Sequence, residues 1–129
     1  AEFESCWEKI NVNSGWETPG HFAHPEMCKF MENYDGIGWY GLRLKLPKEW
    51  KGRKIYLIFG AVDESAWIYL NGKYCGERVY KGGDDWKKSF NIRIDQNVNW
   101  DTPNQSLIVK VRDKGGQGGI WRPVTLAVE

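Results

Sequence analysis

Ala66-Trp67-Ile68-Tyr69-Leu70-Asn71-Gly72-Lys73-Tyr74 decides the fold. In an extended chain successive side chains point to opposite faces, so Ile68 and Leu70 share one face and Trp67 and Tyr69 the other. Asn71-Gly72 then supplies the strongest short-range hairpin signal, because a two-residue type I′ turn needs positive φ at both positions. Lys73 to Val79 becomes the return strand. Working outward, the same period of two recurs. Leu42, Leu44 and Leu46 alternate with Arg43 and Lys45 until Pro47 ends the run. Ile55, Leu57 and Phe59 mark a strand within Lys54 to Phe59, and Phe90, Ile92 and Ile94 mark another. Leu107, Val109 and Val111 alternate with Lys110 and Arg112, and Val124 to Val128 closes the chain after Pro123. Helical periodicity is confined to a short turn around Glu49 to Gly52. Strands joined by glycine-rich turns, without alternating helices, predict an all-β fold of two packed antiparallel sheets. Asn11 to Asp35, which holds Pro19, Gly20 and Pro25, reads as a long covering loop with at most one short strand.

Composition narrows the function. The chain has 129 residues, suiting a single domain over 1–129 with a real core. Eighteen Lys and Arg against 17 Asp and Glu leave a net charge of +1, unlike the basic face of a nucleic-acid binder. No apolar run reaches the ~20 residues of a membrane helix, and Ala1-Glu2-Phe3-Glu4 lacks the basic start and apolar stretch of a signal peptide. Three cysteines, Cys6, Cys28 and Cys75, form no Cys-x-x-Cys pair. Free thiols are the simplest reading, with a Cys6–Cys28 bridge as the alternative.

Catalytic and metal motifs are weak. His21 and His24 lie among prolines and glycines, which disfavours a helical metal pair, and no Gly-x-Ser-x-Gly elbow or phosphate-binding loop occurs. Gly115-Gly116-Gln117-Gly118-Gly119 falls between strands, with no helix after it. Carboxylates are plentiful at Asp63, Glu64, Asp84, Asp85, Asp95, Asp101 and Asp113, but a small sandwich offers little wall for a glycosidase pair. No cofactor is expected. The loop oxygens suit a structural calcium ion without specifying one.

Tryptophan is the unusual entry in the composition: eight residues, too many for a small domain to bury completely. Flat indoles stack on the C–H faces of sugars, while Asp, Asn, Gln and Arg bind the hydroxyls. Trp16 beside Gly15, and Trp86 beside Gly82-Gly83-Asp84-Asp85, are expected at the surface. Trp39, Trp67 and Trp121 fit packing at the sheet as well as stacking.

Six segments together resemble one known module: Gly38-Trp39-Tyr40, Phe59-Gly60-Ala61-Val62-Asp63, Ile68-Tyr69-Leu70-Asn71-Gly72, Gly82-Gly83, Asn104 to Val111, and Gly118-Gly119-Ile120-Trp121-Arg122-Pro123-Val124. The module is the N-terminal, sugar-binding jelly-roll domain of the β-galactosidase and β-glucuronidase type of glycoside hydrolase. The resemblance runs from about Trp39 to Val128 and fades before Asp35. It implies a galactose-binding-like jelly-roll β-sandwich whose catalytic acids lie in a separate barrel, so the chain itself is expected not to be an enzyme. It also implies that loops holding Asn33 and Asp35, and Asp113 and Gln117, reach the rim of a sugar pocket.

The combined reading is a noncatalytic carbohydrate-binding module for a plant or algal polysaccharide or oligosaccharide. It would target an appended catalytic domain, outside the cell or at its surface, with no nucleic-acid or membrane partner. The candidate sugar-binding residues are Trp16, Asn33, Asp35, Trp39, Trp86, Asp113 and Gln117, all but Trp39 grouped at the loop end, with Trp39 a further platform at a strand entry; Trp67 and Tyr69 would define a site on a sheet face instead. The alternative is a structural accessory domain of a larger β-glycosidase, without sugar binding of its own.

Overall fold

Alternation in the sequence becomes strand register in the computed structural model, which describes residues 36–115 and 118–129. Nine strands occur among the described residues: β1 (Gly36–Lys45), β2 (Ile55–Phe59), β3 (Val62–Asp63), β4 (Ser65–Leu70), β5 (Lys73–Arg78), β6 (Phe90–Arg93), β7 (Asn104–Asp113), β8 (Gly119–Ile120) and β9 (Val124–Val128). They form a four-stranded sheet β1-β7-β4-β5, a three-stranded sheet β6-β2-β9 and a two-stranded sheet β3-β8. All pairings are antiparallel.

The two larger sheets bury one core between them. Ala66, Ile68, Leu70, Val109 and Val111 come from the first, and Ile55, Leu57, Phe59 and Ile92 from the second. Burying each large aliphatic side chain is worth about 1.5–3 kcal/mol, so this core supplies the main driving force. The architecture is an all-β, jelly-roll-like sandwich. The small β3-β8 sheet is an addition to the expected two, and its two-residue strands are too short to show a period. Short 3₁₀ turns at Lys48–Trp50, Gly83–Lys87 and Asp95–Asn97 provide the helical geometry among the described residues, and no helix there is long and apolar enough to cross a membrane.

One expected core position differs. Leu44 and Leu46 are buried, but Leu42, on the edge strand β1 of the wider sheet, is 57% exposed.

The Asn71-Gly72 turn has φ of 53° and 78°, as a type I′ turn requires. Its side chain also ties distant loops together. Asn71 Nδ2 donates to Gln105 Oε1 at 2.6 Å and to the Asn97 carbonyl at 3.0 Å, while Asn71 Oδ1 accepts from the Ser106 amide at 2.9 Å. Gln105, 1% exposed, completes the network: Oε1 also accepts from the Asn99 amide, and Nε2 donates to the Asn99 and Thr102 carbonyls. Cys75 is a free, half-buried thiol accepting a 3.2 Å hydrogen bond from Asn97 Nδ2.

A second tie joins β6 to β2. Asp95 accepts from Arg93 Nε at 2.8 Å and from the Ile55 amide at 3.2 Å. The hydrogen bond from Arg93 holds the Asp95 carboxyl below its usual range, with the Ile55 amide acting in the same direction and burial opposing both. A depressed folded-state pKa stabilises the fold above the unfolded carboxylate value near 4. That stabilisation is lost as pH falls through the lower folded value. Asp95→Asn is expected to cost about 1 kcal/mol at pH 7 and progressively less below pH ~4. Urea denaturation at several pH values checks it, and a cost independent of pH would contradict the assignment.

Candidate functional site

Two close backbone approaches build one end of the sandwich. Gly60 donates its amide to the Pro123 carbonyl at 3.1 Å, and a Cβ at Gly60 would lie 2.8 Å from Arg122 Cβ. Only glycine admits the closing segment this near. β3 then pairs with β8 through Val62–Ile120 and Asp63–Gly119, and the Ile120 amide donates to Tyr40 Oη at 3.1 Å.

Asp63 ends β3 and Glu64 follows it, the two joined by a cis peptide bond. Asp113, 2% exposed at the end of β7, comes to meet them. One carboxylate oxygen from each of Asp63, Glu64 and Asp113 lies within 4.8 Å of the others. Backbone amides steady the group: Lys114 donates to Glu64 Oε1 at 2.8 Å, and Gly115 donates to Asp113 Oδ1 at 3.0 Å. Hard oxygen donors of this kind can hold a divalent cation such as calcium.

Arg78 braces the other side. Its Nη2 donates to the Val62 carbonyl and, at 2.8 Å, to the Glu64 carbonyl, while Nη1 donates to the Asp85 carbonyl at 2.5 Å. Its guanidinium lies 4.8 Å from the Phe90 ring centroid. Burial pulls this group below the usual arginine range, opposed by Asp85 and Asp63. Arg78 thereby fixes the 83–87 turn beside β3.

That turn presents Trp86, 39% exposed. Its ring lies 5.7 Å from that of Trp121 at a 35° tilt, and Trp121 Nε1 donates to the Trp86 carbonyl at 3.0 Å. The Arg122 guanidinium covers Trp121 at 4.3 Å. The result is an aromatic ledge with a cation on it, reached from the acidic cluster through β3.

The structure thus brings Asp113 and Trp86 to neighbours on either side of β3. Trp39 goes elsewhere: it pairs with Lys110 and points from the outer face of the four-stranded sheet, 53% exposed. Trp67 and Tyr69 share that outer face, as their alternation predicts. Trp16, Asn33, Asp35 and Gln117 lie outside the described residues, as do His21, His24, Cys6 and Cys28. The contribution of Trp121 and Arg122 to the ledge, and the brace from Arg78, emerge from the structure. Arg78 leaves little sequence signal because its hydrogen-bond partners are backbone carbonyls.

The fold and this end together define a jelly-roll-like domain with acidic and aromatic groups gathered at loops. No family model matches the chain. It is similar to a β-galactosidase from Thermoanaerobacterium thermosulfurigenes, 31% identical over 99% of this chain and 20% of that protein. It is similar in structure to a Bacteroides uniformis β-glucuronidase, with a TM-score of 0.73 and 29% identity over 96% of this chain and 14% of the other. A calcium-binding mutant of Bacteroides uniformis β-glucuronidase 2 matches at a TM-score of 0.64 and 33% identity, over 74% of this chain and 12% of the other. The chain therefore spans about a fifth or less of the relatives it matches.

Proposed function

We propose that this chain is a single noncatalytic, carbohydrate-binding domain of a β-galactosidase- or β-glucuronidase-type glycoside hydrolase. The observation that carries the reading is the coverage: nearly the whole chain matches, but only 14–20% of each relative is involved. In the family it resembles, the catalytic acids belong to a barrel. The role left to this domain is to hold a plant or algal polysaccharide near an attached catalytic unit, outside the cell or at its surface. Trp86 and Trp121 would stack on sugar rings, with the loop after Asp113 meeting hydroxyls at the same end; Asp113 itself, a candidate from the sequence, is buried and steadies that loop from beneath through the Gly115 amide. Trp16, Asn33, Asp35 and Gln117 belong to the same proposed site.

The test combines calorimetric titration with soluble plant and algal polysaccharides and an aryl-glycoside assay on the same preparation. Heat of binding without turnover is expected; turnover lost on changing one Asp or Glu would overturn the noncatalytic reading. A structural accessory role is the second reading, favoured by the Trp121–Trp86 hydrogen bond, which commits part of the ledge to packing. Under it the titrations are silent.

The same reading assigns a structural calcium to Asp63, Glu64 and Asp113. Thermal melts in calcium are then expected several degrees above melts in EDTA, with the difference abolished by Asp113→Asn. Superimposable wild-type melts would remove the metal from the account.

A further inference from the structure

We infer that the outer face of the four-stranded sheet docks an acidic glycan, a chain carrying uronate carboxylates. The inference rests on the proposed carbohydrate-binding function but uses a face distinct from the Trp86 end.

Register sets Trp39 on β1, Lys110 on β7 and Trp67 on β4 in one row across three strands. Their chain neighbours Val109, Val111, Ala66 and Ile68 are buried, so the row faces outward. Lys110 Nζ lies 5.7 Å from the Trp39 ring centroid and 5.3 Å from that of Trp67. The ring quadrupoles hold the ammonium between the two indoles. The indoles belong to strands two spacings apart, about 10 Å. That separation suits alternate rings of an extended chain better than a single sugar. A carboxylate carried between the stacked rings would meet Lys110.

The charge of the face is complementary to such a ligand. Arg43 and Arg112 emerge on the same side as Lys110. The acid opposite Trp67 is Glu77 on β5, and its carboxylate accepts the Tyr74 hydroxyl. A groove continues from Trp67 toward Arg112 and Lys114; Glu64 also lines it, with its Oε1 accepting the Lys114 amide. Tyr69 and Tyr74, edge to face at 5.8 Å, extend the aromatic surface beside the row. A packed protein partner fits less well, because protein interfaces deplete lysine and an unpaired buried ammonium is costly. A carboxylate supplies the counter-charge.

The test measures binding of the full chain to polygalacturonate, alginate and fully methyl-esterified polygalacturonate. The ester shares the backbone of the first polymer but lacks its charge. At least one acidic polymer is expected to bind, more weakly as salt rises. The ester is expected to bind at least ~10-fold more weakly than polygalacturonate if that is the polymer bound. Trp39→Ala and Lys110→Gln are each expected to lower affinity by about tenfold. Their melting temperatures should stay within a degree or two of wild type, as surface substitutions do. Lys110→Arg should retain binding.

Failure of both acidic polymers to bind would overturn the inference. So would equal binding of polygalacturonate and its ester, or binding insensitive to Trp39→Ala and Lys110→Gln. A dimer dissolved by Trp39→Ala would also overturn it, by assigning the face to a second copy. Neutral polysaccharide binding lost in Trp86→Ala would leave the proposed function standing in each of those cases.

Discussion

Gln105→Ala is expected to destabilise the fold by about 3–4 kcal/mol, because it strands several buried polar groups together. Gln105 accepts two hydrogen bonds through Oε1 and donates two through Nε2. Its removal leaves Asn71 Nδ2 with the Asn97 carbonyl alone, and deprives the Asn99 amide and the Asn99 and Thr102 carbonyls of the same partner. Gln105→Glu should not rescue it: a carboxylate keeps the acceptors, loses both donors and buries a charge. For a domain of this size the loss corresponds to about 10–15 °C in melting temperature. Urea denaturation of wild type and both variants measures it. A cost below about 1 kcal/mol would mean that water replaces the amide without penalty.

Trp121→Ala carries the other large effect, on binding and folding together. It removes the ring packed on Trp86, the hydrogen bond to the Trp86 carbonyl and the surface under the Arg122 guanidinium. Losing a stacking platform is expected to weaken polysaccharide affinity about tenfold or more, by analogy with base stacking worth ~1–3 kcal/mol. Releasing the 83–87 turn is expected to cost stability about 1–2 kcal/mol. Trp86→Ala separates the two effects. It deletes an exposed ring but keeps the carbonyl that Trp121 uses, so affinity should fall about tenfold at a nearly unchanged melting temperature. Titration paired with thermal melts distinguishes the variants. A Trp86→Ala protein that binds normally but melts early would assign the ledge to packing.

The contrast between these residues explains what the sequence made legible. Period-two alternation located the strands because one face of each is buried, and Asn71-Gly72 fixed a hairpin because its backbone demands positive φ. The core residues Ile68, Leu70, Val109 and Val111 follow directly. β3 and β8 did not, since two residues carry no period. The site was legible in kinds of residue more than in grouping. Trp86 and Asp113 approach the same short strand from distant parts of the chain, which only the topology determines. Trp39, chosen for its strand-entry position, is carried to the outer face because β1 pairs in register with β7 and alternation turns it away from the core. Arg78 was hidden altogether: a cation that bonds to carbonyls needs no complementary side chain in the sequence.

The most direct test of the central claim is a glycan array probed in parallel with the wild-type chain and the Trp86→Ala variant. Retention of the wild type on a defined set of neutral plant or algal polysaccharides, with the signal on that set reduced about tenfold for the variant, is the predicted result. A folded wild-type chain retained on no glycan at all would contradict carbohydrate binding by this domain.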